Sequence, residues 1–223
     1  MKEYTDLIQA AKEFPEAEAF IFDMDGLLFD TEQLFMEQLA IVMKEQGYTL
    51  TKEVYCKSLG LAGERLKELM LTTYGENYPF EECGAESRRR VSMVADTVGL
   101  RIKPQIVDLL CWLQEHHIRC AVASSTNSEH VERYLEKSGI RSYFSAVIGG
   151  EMVERSKPEP EIFLLACEKL GVAPDASVVL EDSENGIRGA HRAGTAVVCI
   201  PDLKEPDVSV QSYIDVLVRT GRS

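Results

Sequence analysis

The chain has no cysteine pair at metal-ligand spacing, no apolar run of membrane length, no excess of positive charge and no internal repeat. Its six cysteines, Cys56, Cys83, Cys111, Cys120, Cys167 and Cys199, are scattered without a CxxC pair. In a chain of 223 residues, long enough to bury a substantial core, they exclude a small disulfide-stapled scaffold, give a zinc site no support and read as reduced thiols. No uninterrupted apolar stretch approaches ~18 residues, and the opening MKEYTDLIQAAKEFPEAEAF lacks the apolar centre of a signal peptide. A cytoplasmic protein with no membrane partner is therefore expected. Thirty-seven acidic residues against 24 basic give a net charge of -13, which repels nucleic acid as well. The short run Arg88-Arg89-Arg90 sits among Glu81, Glu82 and Glu86 and reads as a solvated helix face.

What is present is an alternation of apolar runs and helical patterns. Ala19 to Phe22 is too brief for a helix and ends at the turn Asp23-Met24-Asp25-Gly26, so it predicts a buried strand after a charged lead-in. From Glu32 to Gly47, then Gly63 to Tyr74, then through the arginine run to about Val98, apolar residues recur at helical spacing. No strand stands out between Thr31 and Lys103. Beyond Pro104 the pattern alternates: helix Ile106 to Glu115, strand Arg119 to Ala123, a helix opened by the capping-box spacing Thr126-x-x-Glu129, strand Ala146 to Ile148, helix Glu159 to Leu170, strand Ser177 to Leu180, helix Asn185 to Ala193 and strand Ala196 to Ile200. Such alternation predicts an α/β fold, a doubly wound, Rossmann-like parallel sheet, interrupted by an all-helical insertion. The expected domains are residues 1–30 with 104–223 and a helical cap over 31–103.

In parallel sheets ligands bind at the carboxyl ends of strands. Those ends carry Asp23 and Asp25, then Ser124, then Lys157 in the following loop, then Glu181 and Asp182. Carboxylates gathered so closely need a cation or raised pKa values. Oxygen ligands suit Mg²⁺, which keeps positions for water or phosphate oxygens. A cation, a lysine and a hydroxyl are what a transferring phosphoryl group needs around its oxygens. An aspartate can also attack phosphorus, and strand alternation would put Asp23 and Asp25 on one side, leaving the second to handle protons.

The segments "FIFDMDGLLFDTE", "AVASSTN", "SKPEPEIF" and "VVLEDSENGIRGAHRAG" together resemble the haloacid dehalogenase-like superfamily, in its beta-phosphoglucomutase-like and phosphatase branch with a helical cap. The resemblance extends over nearly the whole chain from about residue 17. It implies Asp23 as nucleophile and Mg²⁺ ligand, and Asp25 as acid/base that also offers its backbone carbonyl to the metal. It further implies Ser124, with Asn127 at a helix N-terminus, and Lys157 on the phosphoryl group, Asp182 as a metal ligand, and Glu181 in its inner or outer shell. Leu27 to Asp30 would form a mobile flap. Arg65, after "LGLAGE", stands where relatives place substrate contacts.

The expected activity is that of a phosphoric monoester hydrolase: a Mg²⁺-dependent phosphatase, monomeric, acting on a small phosphorylated metabolite such as a sugar phosphate through an aspartyl-phosphate. The alternative enzyme is a sugar phosphomutase. Mutases of this type, so aligned, carry a histidine twelve residues past the nucleophile, where this chain has Phe35. The non-enzyme alternative is a phosphate-sensing or regulatory protein. Signalling receiver domains place their acidic pair first in the chain, whereas here it comes last, and no motif residue is missing.

Overall fold

The computed structural model describes residues 1–59, 61 and 63–220. In chain order its elements are β1 (Lys2–Tyr4), α1 (Leu7–Ala11), β2 (Ala19–Phe22), α2 (Thr31–Glu45), α3 (Lys52–Ser58), α4 (Gly63–Tyr74), α5 (Phe80–Thr97), α6 (Ile106–Glu115), β3 (Arg119–Ala123), α7 (Ser128–Lys137), β4 (Ala146–Ile148), α8 (Glu161–Leu170), β5 (Ser177–Glu181), α9 (Glu184–Ala193), β6 (Ala196–Cys199) and β7 (Val216–Val218). They fall into two compact units, residues 1–30 with 100–223 and residues 31–99.

The first unit is a seven-stranded sheet in the order β1-β7-β6-β5-β2-β3-β4, and every pairing in it is parallel. β2 and β5 are buried along their whole length, which is why they read as unbroken apolar runs rather than alternating ones. Ile21, Ala121, Val179 and Val197 join Ile162, Phe163 and Ala166 of α8 and Ile187 and Ala190 of α9 in one core cluster. Helices α8 and α9 stop where Gly171 and Gly194 take positive φ, the usual left-handed exit. From β2 the chain proceeds through β3 to β4 on one side, and from β5 through β6 to β7 on the other. The order therefore reverses between β2 and β5, and that crevice is the binding position of such sheets.

Several elements differ from expectation. β1, α1 and β7 were not legible, being three to five residues long. α7 begins one residue later than the Thr126-x-x-Glu129 spacing suggests: Asn127 is the N-cap and its side chain accepts from Glu129 N. Residues 100–103 group with the first unit, because Asp30 N donates to Arg101 O and Lys103 N to Leu28 O. The second unit is helical, with α2 and α5 packed on each other; Arg89 and Arg90 pair with Glu86, and Arg90 also with Glu45, so these two arginines of the run are occupied by ion pairs. Among the described residues no helix is long and apolar enough to cross a membrane.

Candidate active site

β2 lies between β3 and β5, with Phe22 level with Val122 and Leu180. The three strands thus end together, and Asp23, Ser124, Glu181 and Asp182 emerge side by side. Asp23 is buried and its backbone N–H donates to Leu180 O at 3.0 Å. Lys157 reaches this edge from the loop before α8. Its Nζ donates to Asp23 Oδ1, to Glu181 Oε1 at 2.7 Å and to Ala123 O at 3.0 Å, and it lies 5.1 Å from the centre of the Phe163 ring.

Burial alone would lower the Lys157 pKa, but the carboxylates of Asp23 and Glu181 outweigh it and hold the ammonium charged. Burial pushes Asp23 up to about 8; Lys157 opposes this while Glu181 and Asp25 add to it. Asp182 is held well above the carboxylate range by burial, then by the charges of Glu181, Asp23 and Asp202. Asp23, Glu181 and Asp182 present carboxylate oxygens within 4.8 Å of one another. Three carboxylates against the one Lys157 ammonium leave two negative charges when all are ionised, and all donors are oxygen. Charge and donor chemistry both fit a divalent hard cation.

Within this cluster the acids differ. Glu181 is fully buried, and its Oε2 accepts from Asp182 N, Ser183 N and Ser183 Oγ at 3.0–3.1 Å. With Lys157 on Oε1, both Glu181 oxygens serve the protein. The start of α9 is shaped around this carboxylate: a Cβ on Gly186 would sit 1.8 Å from Glu181 Cδ. Asp182 is half-buried and next to it.

Asp25 Oδ2 accepts from Thr126 Oγ1 at 3.0 Å, a contact the sequence did not reveal, although Thr126 lies in the same "SSTN" stretch as Ser124. Ser124 is buried, and its Oγ accepts from Thr126 N at 3.1 Å. The α7 N-terminus is filled by the chain itself: Asn127 caps Glu129 N, and the Glu151 carboxylate accepts from Ser128 N at 3.1 Å. Leu27, Leu28 and Phe29 are fully buried, and the Asp25–Asp30 turn is closed by bonds from Gly26 N to Phe29 O and from Leu28 N and Phe29 N to Met24 O. In this conformation the expected flap is a packed turn. Arg65 is exposed on α4 in the second unit; Gly60 and Ala62 of "LGLAGE" lie outside the described residues.

Comparison with known proteins identifies relatives of the chain. The chain is 32% identical over 182 residues to a phosphorylated carbohydrates phosphatase of Thermotoga maritima, covering 79% of this chain and 82% of that protein. It is 30% identical to hexitol phosphatase B of Escherichia coli K12, covering 82% and 83%. The crystal structure of CbbY from Rhodobacter sphaeroides in complex with xylulose-(1,5)bisphosphate superposes with a TM-score of 0.68 at 27% identity, over 91% of this chain and 93% of that one. A sequence profile described as "Haloacid dehalogenase-like hydrolase" matches residues 20–200, which span all four strand-end motifs, and the chain belongs to that family.

Proposed function

We propose that the protein is a Mg²⁺-dependent phosphatase that hydrolyses a small phosphorylated carbohydrate through an aspartyl-phosphate on Asp23. The observation that carries this is the Asp23 carboxylate itself, held by Lys157 at the strand end and flanked by Asp182. Asp23 and Asp182 would hold the cation, with the Asp25 backbone carbonyl, while Glu181 fixes Asp182 and Lys157. When bound, Mg²⁺ supplies positive charge to the phosphoryl oxygens.

An oxygen of Asp23 attacks phosphorus as the bond to the sugar oxygen breaks. Asp25, oriented by Thr126, gives its proton to that leaving oxygen. Asp25 then takes a proton from a water, which attacks the phosphorus, releases inorganic phosphate and restores Asp23. Lys157 offsets charge on the phosphoryl group throughout, and the Ser124 hydroxyl hydrogen-bonds it. The relatives named for phosphorylated carbohydrates and hexitols support the carbohydrate class. Hydrolysis is preferred to return of phosphate to another sugar hydroxyl because Phe35, which packs against Tyr55 at 6.4 Å between ring centres, cannot exchange a proton.

Purified protein with Mg²⁺ should release phosphate from members of a sugar- and polyol-phosphate panel, and Asp23→Asn should abolish release. Folded, metal-loaded protein inactive across a wide panel would sink the reading. Conversion of glucose 1-phosphate to glucose 6-phosphate without net phosphate release would instead favour the mutase.

A further inference from the structure

Behind the Asp25 turn lies a buried ion pair that the phosphoryl chemistry does not use. The side chains of Lys103 and Asp202 are only 8% and 4% exposed, with Lys103 Nζ 2.6 Å from Asp202 Oδ1. The same ammonium donates to the Gly26 carbonyl at 2.7 Å. Gly26 takes a φ of +76°, and a Cβ there would fall 2.3 Å from Asp182 Oδ2. Backbone at this turn therefore lies directly against one of the clustered carboxylates, which glycine alone permits, and its carbonyl is tied to Lys103.

A buried ion pair is weak evidence for stability, since apolar residues of the same shape often serve as well. The further bond to Gly26 is what an apolar pair could not make. Asp202 also matters electrostatically. Without Lys103, Asp202 would add one more negative charge beside the cluster. The backbone repeats the attachment, with Lys103 N bonded to Leu28 O at 2.9 Å, so the returning segment holds the turn through main chain and side chain together.

We propose that Lys103, aimed by Asp202, is a positioning residue that fixes the Gly26 carbonyl and thereby the placement of Asp25 and Asp182 for turnover. As a statement about rate, this rests on the phosphatase reading above; as a statement about the turn, it does not.

The test uses Lys103→Met, Asp202→Asn and the double variant, each first checked for native circular dichroism. Lys103→Met leaves a carboxylate buried without this partner and risks the fold, whereas the double variant removes both charges together. Hydrogen exchange of substrate-free protein should show the amides of residues 24–30 exchanging about tenfold faster in Lys103→Met and in the double variant, with β5 and β6 unchanged. In turnover, kcat should fall about 10- to 100-fold with KM within about threefold, and the double variant should be no slower than Lys103→Met alone. Unchanged exchange at 24–30 in the folded double variant, or a defect confined to KM, would overturn the proposal. If the wild type itself releases no phosphate, the function has failed and the exchange measurement still decides the turn.

Discussion

Asp182 sits where burial and the charges of Glu181, Asp23 and Asp202 favour its neutral form, yet the proposed chemistry needs it ionised to hold a cation. An acid whose folded pKa is raised stabilises the fold below its unfolded value, here 3.8, and loses that contribution as pH rises toward the folded value. Asp182→Asn escapes the loss. In metal-free protein the variant should match the wild type near pH 4 and exceed it at pH 8 by about 1 kcal/mol, or ~2–4 °C in Tm for a chain of this size. The same variant should lose stabilisation by added Mg²⁺, which in the wild type amounts to about 2.7 kcal/mol at a hundredfold excess over Kd. Melting curves with chelator and with Mg²⁺ at both pH values check this; a less stable metal-free variant at pH 8 would contradict it. Gly186 shows the opposite case, where space rather than charge is limiting. Its missing Cβ leaves room for the Glu181 carboxyl, so Gly186→Ala must displace a fully buried acid and should cost about 2–4 kcal/mol in unfolding measurements, outweighing the roughly 1 kcal/mol that alanine gains over glycine within a helix.

Among the elements, α7 separates capping from ligand binding. Asn127 satisfies Glu129 N and Glu151 satisfies Ser128 N, so Asn127→Ala should lower stability by about 1 kcal/mol while phosphate release per folded molecule stays within about threefold; a large KM increase without destabilisation would show that Asn127 contacts substrate instead. The start of this helix also shows where sequence reading stops. β2, β3 and β5 were legible because parallel strands buried on both faces read as short apolar runs, and the motif residues follow directly at their ends. The Thr126-x-x-Glu129 spacing had the form of a capping box, but Asn127 took the cap and the Thr126 hydroxyl turned to Asp25. That contact joins residues 101 positions apart, and Lys103 to Asp202 joins residues 99 apart. Local patterning carries no information about such pairings. β1 and β7 escaped for a simpler reason: Lys-Glu-Tyr and Val-Leu-Val are too short to establish a period.

Across the whole molecule, the stretch before the matched family region is integrated into the sheet. The profile match begins at residue 20, yet β1 pairs with β7 in register Lys2 to Val216, Glu3 to Leu217 and Tyr4 to Val218, and Leu7, Ala10 and Ala11 of α1 are buried. Gln105 binds this stretch to α6. Its Oε1 accepts from Leu7 N at 2.9 Å and its Nε2 donates to Thr5 O at 3.0 Å. It does so from a left-handed backbone, φ 65°, a conformation uncommon for any residue but glycine, asparagine or aspartate. Two hydrogen bonds at its side chain offset that strain only while residues 5–7 are in place. Deleting residues 1–16 would remove the burial of Leu7, leave Gln105 strained and expose the edge of β7. The truncated protein should therefore be destabilised by about 3 kcal/mol, lowering Tm by roughly 6–12 °C, and should associate more readily. Asp23, Ser124 and Asp182 extend from β2, β3 and β5, which pair among themselves and with β4 and β6, so Mg²⁺ affinity measured well below Tm should stay within about twofold of the full chain. An unchanged Tm would show that the added strand and helix are ornamental; loss of Mg²⁺ binding by a still-folded truncation would show that they reach the site.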